Sequence, residues 1–319
     1  MHKPDLLAEV TRGSTIDSLH YGWVCALNSN KKIIYKKGNI NDQVFLRSIA
    51  KPIQAIPVIE SGIISSLQEL AIVCASHNGG IAHLKILNTL LNKHKIKLEE
   101  LQCGKHMPID EIEKERLIKT NNKPLMLHNN CSGKHIGILA LCKAKNWDIK
   151  SYLKPNHILQ KIIFKEISSL SETKNISLGI DGCSLPTFAI SVINTAILFS
   201  NFTNSRNKTY QKIIHAMTNY PYLVGGKGQI DSELMKTTNG RILTKVGGGG
   251  IIVAATKGNS VVVKIADPSQ TIRSFILLSI LKKLDMLTKK ELENSYIKDI
   301  LSGRVKNLRG LTVGYTKTN

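Results

Sequence analysis

Long apolar runs, aromatics and acidic residues are all in short supply in this chain, and each shortage excludes something. No stretch of eighteen or more apolar residues occurs, so no segment reads as a membrane-spanning helix. Aromatic residues make up only 5% of the chain. A surface that binds single-stranded nucleic acid interleaves aromatics with positive charge, so this scarcity argues against such a partner. The point matters because lysine and arginine number 44 against 23 acidic residues, a formal net charge of +21. The lysines are spread along the whole chain and cluster no further than pairs, such as Lys31-Lys32, Lys36-Lys37, Lys282-Lys283 and Lys289-Lys290. That distribution describes a solvated basic surface rather than a phosphate-binding track, and nucleic acid is not expected despite the charge. The first ten residues include Asp5 and Glu9 and lack the apolar core of a secretory signal, so a cytoplasmic location is expected. Six cysteines in that compartment are expected to be thiols, not a disulfide framework.

Hydrophobic residues, at 42% of 319, suffice for a sizeable core. Residues 21–27 and 32–35 have strand character and are joined by the turn Asn28-Ser29-Asn30-Lys31. A helix is expected from about residue 47 to 60, with Ser48 as N-cap, Pro52 in the first turn and a kink at Pro57. Residues 70–75 read as a short strand or a buried helix end, and 83–94, 110–119 and 133–145 as helices. Strand patterns return at 241–246, 250–256 and 260–265, before an apolar helix over 268–287. Strands at both ends with helices between predict one α/β domain over residues 1–319. Its sheet would come from residues 1–80 and 240–319, with a central helical lobe from 81–239.

Three constellations are candidates for chemistry. Ser48-Ile49-Ala50-Lys51 places a serine and a lysine three apart, on one face of a helix start. A desolvated, neutral lysine there can take the serine proton, and free N–H groups at a helix start suit an oxyanion. Taken alone, this common spacing fits a capped helix start better. Cys74-Ala75-Ser76-His77-Asn78-Gly79-Gly80 ends an apolar segment in a polar, Gly-rich turn, the kind of edge where active sites sit. Together with the Ser-x-x-Lys it echoes the first two motifs of penicillin-recognising enzymes, but the third, Lys-Thr-Gly, does not occur. The last constellation couples His128-Asn129-Asn130-Cys131-Ser132-Gly133-Lys134-His135 to Asp181-Gly182-Cys183-Ser184-Leu185-Pro186. Two soft thiolates on separate Gly-containing loops, with lysine and histidine nearby, suit an open zinc site, although the residues taken alone fit two buried free cysteines better. Chemistry alone favours His135 as its third ligand, because a lysine must first lose its proton. Cys25, Cys74, Cys103 and Cys142 lie in apolar or helical contexts and read as buried thiols. Gly247-Gly248-Gly249-Gly250 precedes a strand and lacks a following Lys-Ser/Thr, which makes it a turn and not a phosphate loop.

At these residues the sequence resembles the L-asparaginase II family of rhizobial type. The matching landmarks are Arg47-Ser48-x-x-Lys51-Pro52, Cys74-Ala75-Ser76-His77, Asn130-Cys131-Ser132-Gly133-Lys134-His135 and Asp181-Gly182-Cys183-x-Leu185-Pro186-Thr187, followed by Gly226-x-Gly228 and Val263-Lys264-Ile265-x-Asp267. They run in family order over nearly the whole chain, and the asparagine-cysteine-serine-glycine-lysine-histidine run is the most specific. The resemblance implies a fold like that of serine β-lactamases and penicillin-binding proteins, and hydrolysis of L-asparagine to L-aspartate and ammonia. It also implies two Ser/Lys pairs, Ser48 with Lys51 and Ser76 with Lys264. A zinc ion held by Cys131, Lys134 and Cys183 is implied as well, with Asp181 and His135 beside it, and a homodimer. In this reading Arg47 pairs with the substrate α-carboxylate, and Asp181 and His135 complete the substrate site.

The chain departs from the family pattern in three places. Asn78-Gly79-Gly80 follows Ser76-His77 where serine-glycine-glutamate is usual, Gln229 stands where an arginine is common, and residues 247–250 replace a stretch that commonly carries an acidic residue. These changes are expected to remove polar groups near the pocket and to alter rate or substrate preference. The competing expectations are another Ser/Lys amidase, a β-lactam or ester hydrolase, or a family member of reduced activity.

Overall fold

The computed structural model describes residues 3–319. β1 (Asp5–Arg12) and β2 (Thr15–Leu27) form a hairpin, and β3 (Ile33–Lys37) pairs with the far half of β2. The short β4 (Gln43–Phe45), β5 (Ser177–Ile180) and β6 (Pro186–Ser191) form a separate three-stranded sheet in the order β4-β6-β5. The C-terminal part adds β7 (Leu243–Val246), β8 (Ile251–Thr256), β9 (Asn259–Ile265), β10 (Arg304–Lys306) and β11 (Thr312–Thr318). The large sheet is antiparallel in the order β10-β11-β1-β2-β9-β8-β7, with β3 beside β2. The fold is thus α/β, with the main sheet drawn from both ends of the chain and the helices largely from its middle.

Strand periodicity explains why this sheet is covered on both faces. Along β2, Trp23, Cys25 and Leu27 enter one core, while Val24 and Ala26 enter another. β8 repeats the split, with Ile251, Val253 and Ala255 on the first side and Ile252 and Ala254 on the second. Both parities are apolar, the signature of a sheet buried on two faces. The helix Gln270–Lys283 covers the second face with Ile272, Phe275 and Ile276. The first face is continuous with the helical region, whose helix Ser132–Ala144 is buried along almost its full length. Gly133 permits that burial, since a Cβ there would stand 2.2 Å from the carbonyl oxygen of Ile72 in the neighbouring helix Leu67–Val73.

Several elements differ from the sequence expectation. The helix expected over 47–60 is a 3-10 turn, Arg47–Ala50, followed by the short helices Lys51–Gln54 and Ile56–Glu60. Pro52 and Pro57 each sit within the first turn of a short helix, the helical position that tolerates a missing N–H. Ser48 lies inside the 3-10 turn and does not cap it; Leu46 holds that position. Of the two readings of residues 70–75, the buried helix end holds: the helix Leu67–Val73, started by a Ser66/Glu69 capping box, ends there with Cys74 as its C-cap. β1, β10 and β11 have half-exposed or mixed faces and were not read from the sequence. Among the described residues no helix is long and apolar enough to cross a membrane.

Candidate active site

The chain enters the site from β4, turns sharply at Arg47 in the left-handed region (φ 48°), and runs through the 3-10 turn into Lys51. Lys51 is wholly buried. Its Nζ donates to the Ala75 carbonyl and the Asn130 carbonyl (3.2 Å) and lies 3.0 Å from Ser76 Oγ. Burial pulls its pKa below the usual lysine value; nearby Lys134 and Lys245 act in the same direction, against the opposing pull of Cys131 and Cys183. In a neutral amine the two N–H groups would serve the two carbonyls, leaving the lone pair for a serine hydroxyl.

Ser48, one turn before Lys51, is half-buried and lines a cavity of about 260 Å³. Arg47, His106, Asn129, Asn130, Cys131, Asp181, Gly182, Cys183 and Gly248 complete its wall. Asn130 ties the parts together. Its N–H donates to His106 Nε2 (2.9 Å), its carbonyl receives Lys51, and its side-chain oxygen lies 3.3 Å from Cys131 Sγ. The next helix begins at Ser132, whose hydroxyl bonds His77 Nε2 at 2.9 Å and so locks the Ser76-His77 turn to the Cys131 loop.

Cys131 and Cys183 stand on this wall with Lys134 behind them, and all three are buried. Lys134 Nζ lies 3.3 Å from Cys183 Sγ. A hydrogen bond from Cys131 and the charge of Lys134 hold the Cys183 thiol well below its ordinary pKa, despite burial, while Cys131, the partner that keeps the proton, is pushed up. Burial opposes the charge on Lys134, but Cys183, Cys131 and Asp181 outweigh it and raise its pKa. Two sulfurs on the cavity wall with an amine behind them form a donor set that suits zinc, with the cavity side as an open position. Among the described residues no three His, Cys, Asp or Glu side chains group into a metal site. His135, the ligand that chemistry alone favours, stands off the cavity. Its ring is buried, Nδ1 bonds Tyr152 Oη at 2.7 Å, and it does not line the cavity.

Arg47 reaches across the cavity mouth to Asp181, Nε to Oδ1 at 2.6 Å, and the same oxygen accepts the Gly182 N–H. A Cβ on Gly248 would lie 3.1 Å from Arg47 Nη2, so the glycine leaves room for the guanidinium. Lys264 sits on β9 in register with Trp23. Its ammonium lies 5.8 Å from the Trp23 ring centroid and donates to the Ile265 carbonyl. Burial and Arg47 lower its pKa against Asp267. The structure thus brings together Arg47, Ser48, Asp181, Cys131 and Cys183 on one wall, with Lys51, Ser76 and Lys134 behind it. Among the described residues no hydrogen bond joins Lys51 to Ser48, or Lys264 to Ser76; the serine that Lys51 touches is Ser76.

Sequence reasoning missed His106 and the roles of Asn129 and Asn130. Asn129 bridges its own loop to the Cys103 and Gly104 carbonyls and accepts from the Cys131 N–H. The available signal was the histidine in Gly104-Lys105-His106-Met107-Pro108, a turn-rich loop with no periodicity. The departing segment at Asn78 does not line the cavity. Asn78 bonds Asp110 (3.1 Å) and packs on Gly226, where a Cβ would stand 2.4 Å from Asn78 Nδ2. Of the departures from the family pattern, only residues 247–250 reach the cavity, through Gly248.

The L-asparaginase II family model matches residues 8–318. The chain belongs to the L-asparaginase II family. Membership makes it an amidohydrolase and accounts for the order of its landmarks from Arg47 to Lys264. A comparison with curated proteins gives no match. Among solved structures it is similar to a β-lactamase from Mycobacterium bovis, with a TM-score of 0.45 and 11% identity over 82% of this chain and 94% of that one.

Proposed function

We propose that this asparaginase II family member hydrolyses the side-chain amide of L-asparagine, with Ser48 as nucleophile and Lys51 as base. The observation that carries this reading is the setting of Lys51. Its amine is buried, its N–H groups face two carbonyls, and it stands one turn from a serine on the cavity wall. The cavity, about 260 Å³, is smaller than the roughly 300–1,000 Å³ of sites for drug-sized ligands and suits a substrate of amino-acid size.

In this mechanism Ser48 Oγ attacks the amide carbon and its proton passes to Lys51 Nζ. The tetrahedral intermediate collapses with C–N cleavage, and ammonia leaves with the proton that Lys51 returns, relayed by Ser76 Oγ at 3.0 Å. Water then attacks the Ser48 ester, Lys51 again holds the proton, and aspartate is released. The Nη groups of Arg47 are free to hold the α-carboxylate, and the second oxygen of Asp181 to hold the α-ammonium. His135 bonds Tyr152 off the cavity and does not touch substrate in this reading. Lys264 sets the electrostatics near Arg47. Cys131, Cys183 and Lys134 would hold zinc, and Lewis-acid polarisation of the amide oxygen is the chemistry it would supply there. Binding requires both thiols and the amine to shed their protons, so zinc uptake should release protons.

A second reading is favoured by the Lys51–Ser76 contact: Ser76 is then the attacking hydroxyl and Ser48 positions substrate. The test of the function is ammonia release from L-asparagine, run beside L-glutamine on purified protein. Release from asparagine is expected; a folded, zinc-loaded protein that releases none from either amide defeats the proposal. For the metal, Cys183→Ala is expected to lower bound zinc, read by atomic absorption, to less than about a tenth of one equivalent, because two remaining donors form a weak site. Full zinc content in that variant would remove Cys183 from the ligand set.

A further inference from the structure

On the far side of the 247–250 turn lies a second cavity, about 250 Å³, that the amidase reading does not use. Arg273 forms part of its wall and is only 6% exposed. Its Nη1 donates to the carbonyls of Gly247 (3.0 Å) and Ile251 (3.4 Å), while its buried Nε has no hydrogen-bond partner. Among the described residues Arg273 makes no ion pair. The buried carboxylate whose charge reaches Arg273, Asp231, bonds Lys245 through Oδ2 at 2.9 Å and makes no hydrogen bond to Arg273. Glu233 is held by the Gly228 N–H. A guanidinium taken out of water without a bonded counter-charge is costly, and folded proteins pair such groups.

The cavity supplies the place for a partner. Arg273 belongs to the first turn of the 14-residue helix Gln270–Lys283. Ser269 caps that helix by accepting from Ile272 N–H, and the N–H groups of Gln270 and Thr271 have no acceptor among the described residues. Gln270, Thr271 and Ser274 line the cavity beside Arg273, and Tyr296 and Gly228 face them. A Cβ on Gly228 would meet nothing within 4 Å, so that wall is open. Free helix N–H groups, the positive helix end and an unpaired guanidinium all favour negative charge.

We propose that this cavity is a binding site for a small oxyanion, a phosphate or a carboxylate, held by Arg273 and the first-turn N–H groups of the helix Gln270–Lys283. The site is separate from the amidase cavity, and its occupancy does not depend on which amide is hydrolysed. Isothermal titration calorimetry of the full chain with inorganic phosphate, and separately with acetate, tests it. Binding of at least one is expected in the millimolar range or tighter, and the arm that gives heat names the source. Arg273→Met should weaken that binding by about ten-fold or more. Because Nη1 also anchors the 247–250 turn, a second variant leaves that anchor in place. Gln270→Pro removes one N–H at a position where proline suits a helix, after a residue already extended (Ser269 ψ 113°). It should weaken binding about two- to five-fold with an unchanged melting temperature. No heat with either anion overturns the proposal. So does wild-type affinity in both folded variants, or in Gln270→Pro if Arg273→Met does not fold.

Discussion

Ser48→Ala is expected to lower kcat for asparagine hydrolysis by about a thousand-fold or more, since losing a nucleophile removes the covalent route altogether. The melting temperature should stay within a few degrees of wild type. Ser48 is half-buried at the cavity edge, and among the described residues its hydroxyl holds no partner, so little packing is lost. The companion measurement is Ser76→Ala. If Ser76 only relays a proton to the departing ammonia, that variant keeps measurable turnover and still forms an acyl-enzyme, visible by mass spectrometry after rapid quenching. Near-wild-type turnover in Ser48→Ala, with the acyl group lost in Ser76→Ala, reverses the two roles and makes the Lys51–Ser76 contact the nucleophile pair.

Lys51 carries the second large effect. As a base it must be neutral, so kcat/KM is expected to rise with pH as Lys51 loses its proton. Burial, with Lys134 and Lys245 beyond it, lowers the Lys51 pKa, which moves that limb to lower pH than a solvated lysine would give. Lys51→Met should abolish the limb together with about three orders of magnitude of activity. Lys51→Arg should not restore it, because a guanidinium stays protonated across the accessible range. An arginine variant with wild-type rate and pH profile would remove Lys51 from proton transfer. Folded content has to be checked alongside, since Lys51 is wholly buried and its bonds to the Ala75 and Asn130 carbonyls also join two loops.

Local pattern is enough for some elements of this fold and not for others. β2, β8 and β9 were legible because dense apolar and β-branched stretches bounded by turns have few alternatives to a buried strand. β1, β10 and β11 were not, since their alternation is blurred by exposure on one side. The stretch from Arg47 to Glu60 was legible as helical but not as three pieces. That division follows from Pro52 and Pro57, together with a left-handed Arg47 that no propensity scale marks.

The candidate site divides in the same way. The chemically loaded residues Ser48, Lys51, Ser76, Cys131, Lys134, Asp181 and Cys183 stand out in the sequence because their motifs are rich in glycine and reactive side chains where periodic structure breaks. The sequence by itself determined which residues are candidates and, through the family motifs, the class of reaction. Only the tertiary structure decided the partners: Lys51 with Ser76, Arg47 with Asp181 and Gly248, His135 with Tyr152, and Asn130 with His106. The reason is distance along the chain. A helix turn fixes neighbours three or four residues apart, whereas Arg47 and Asp181 are separated by 134 residues and meet only because β4 pairs with β6, which follows the Asp181 loop.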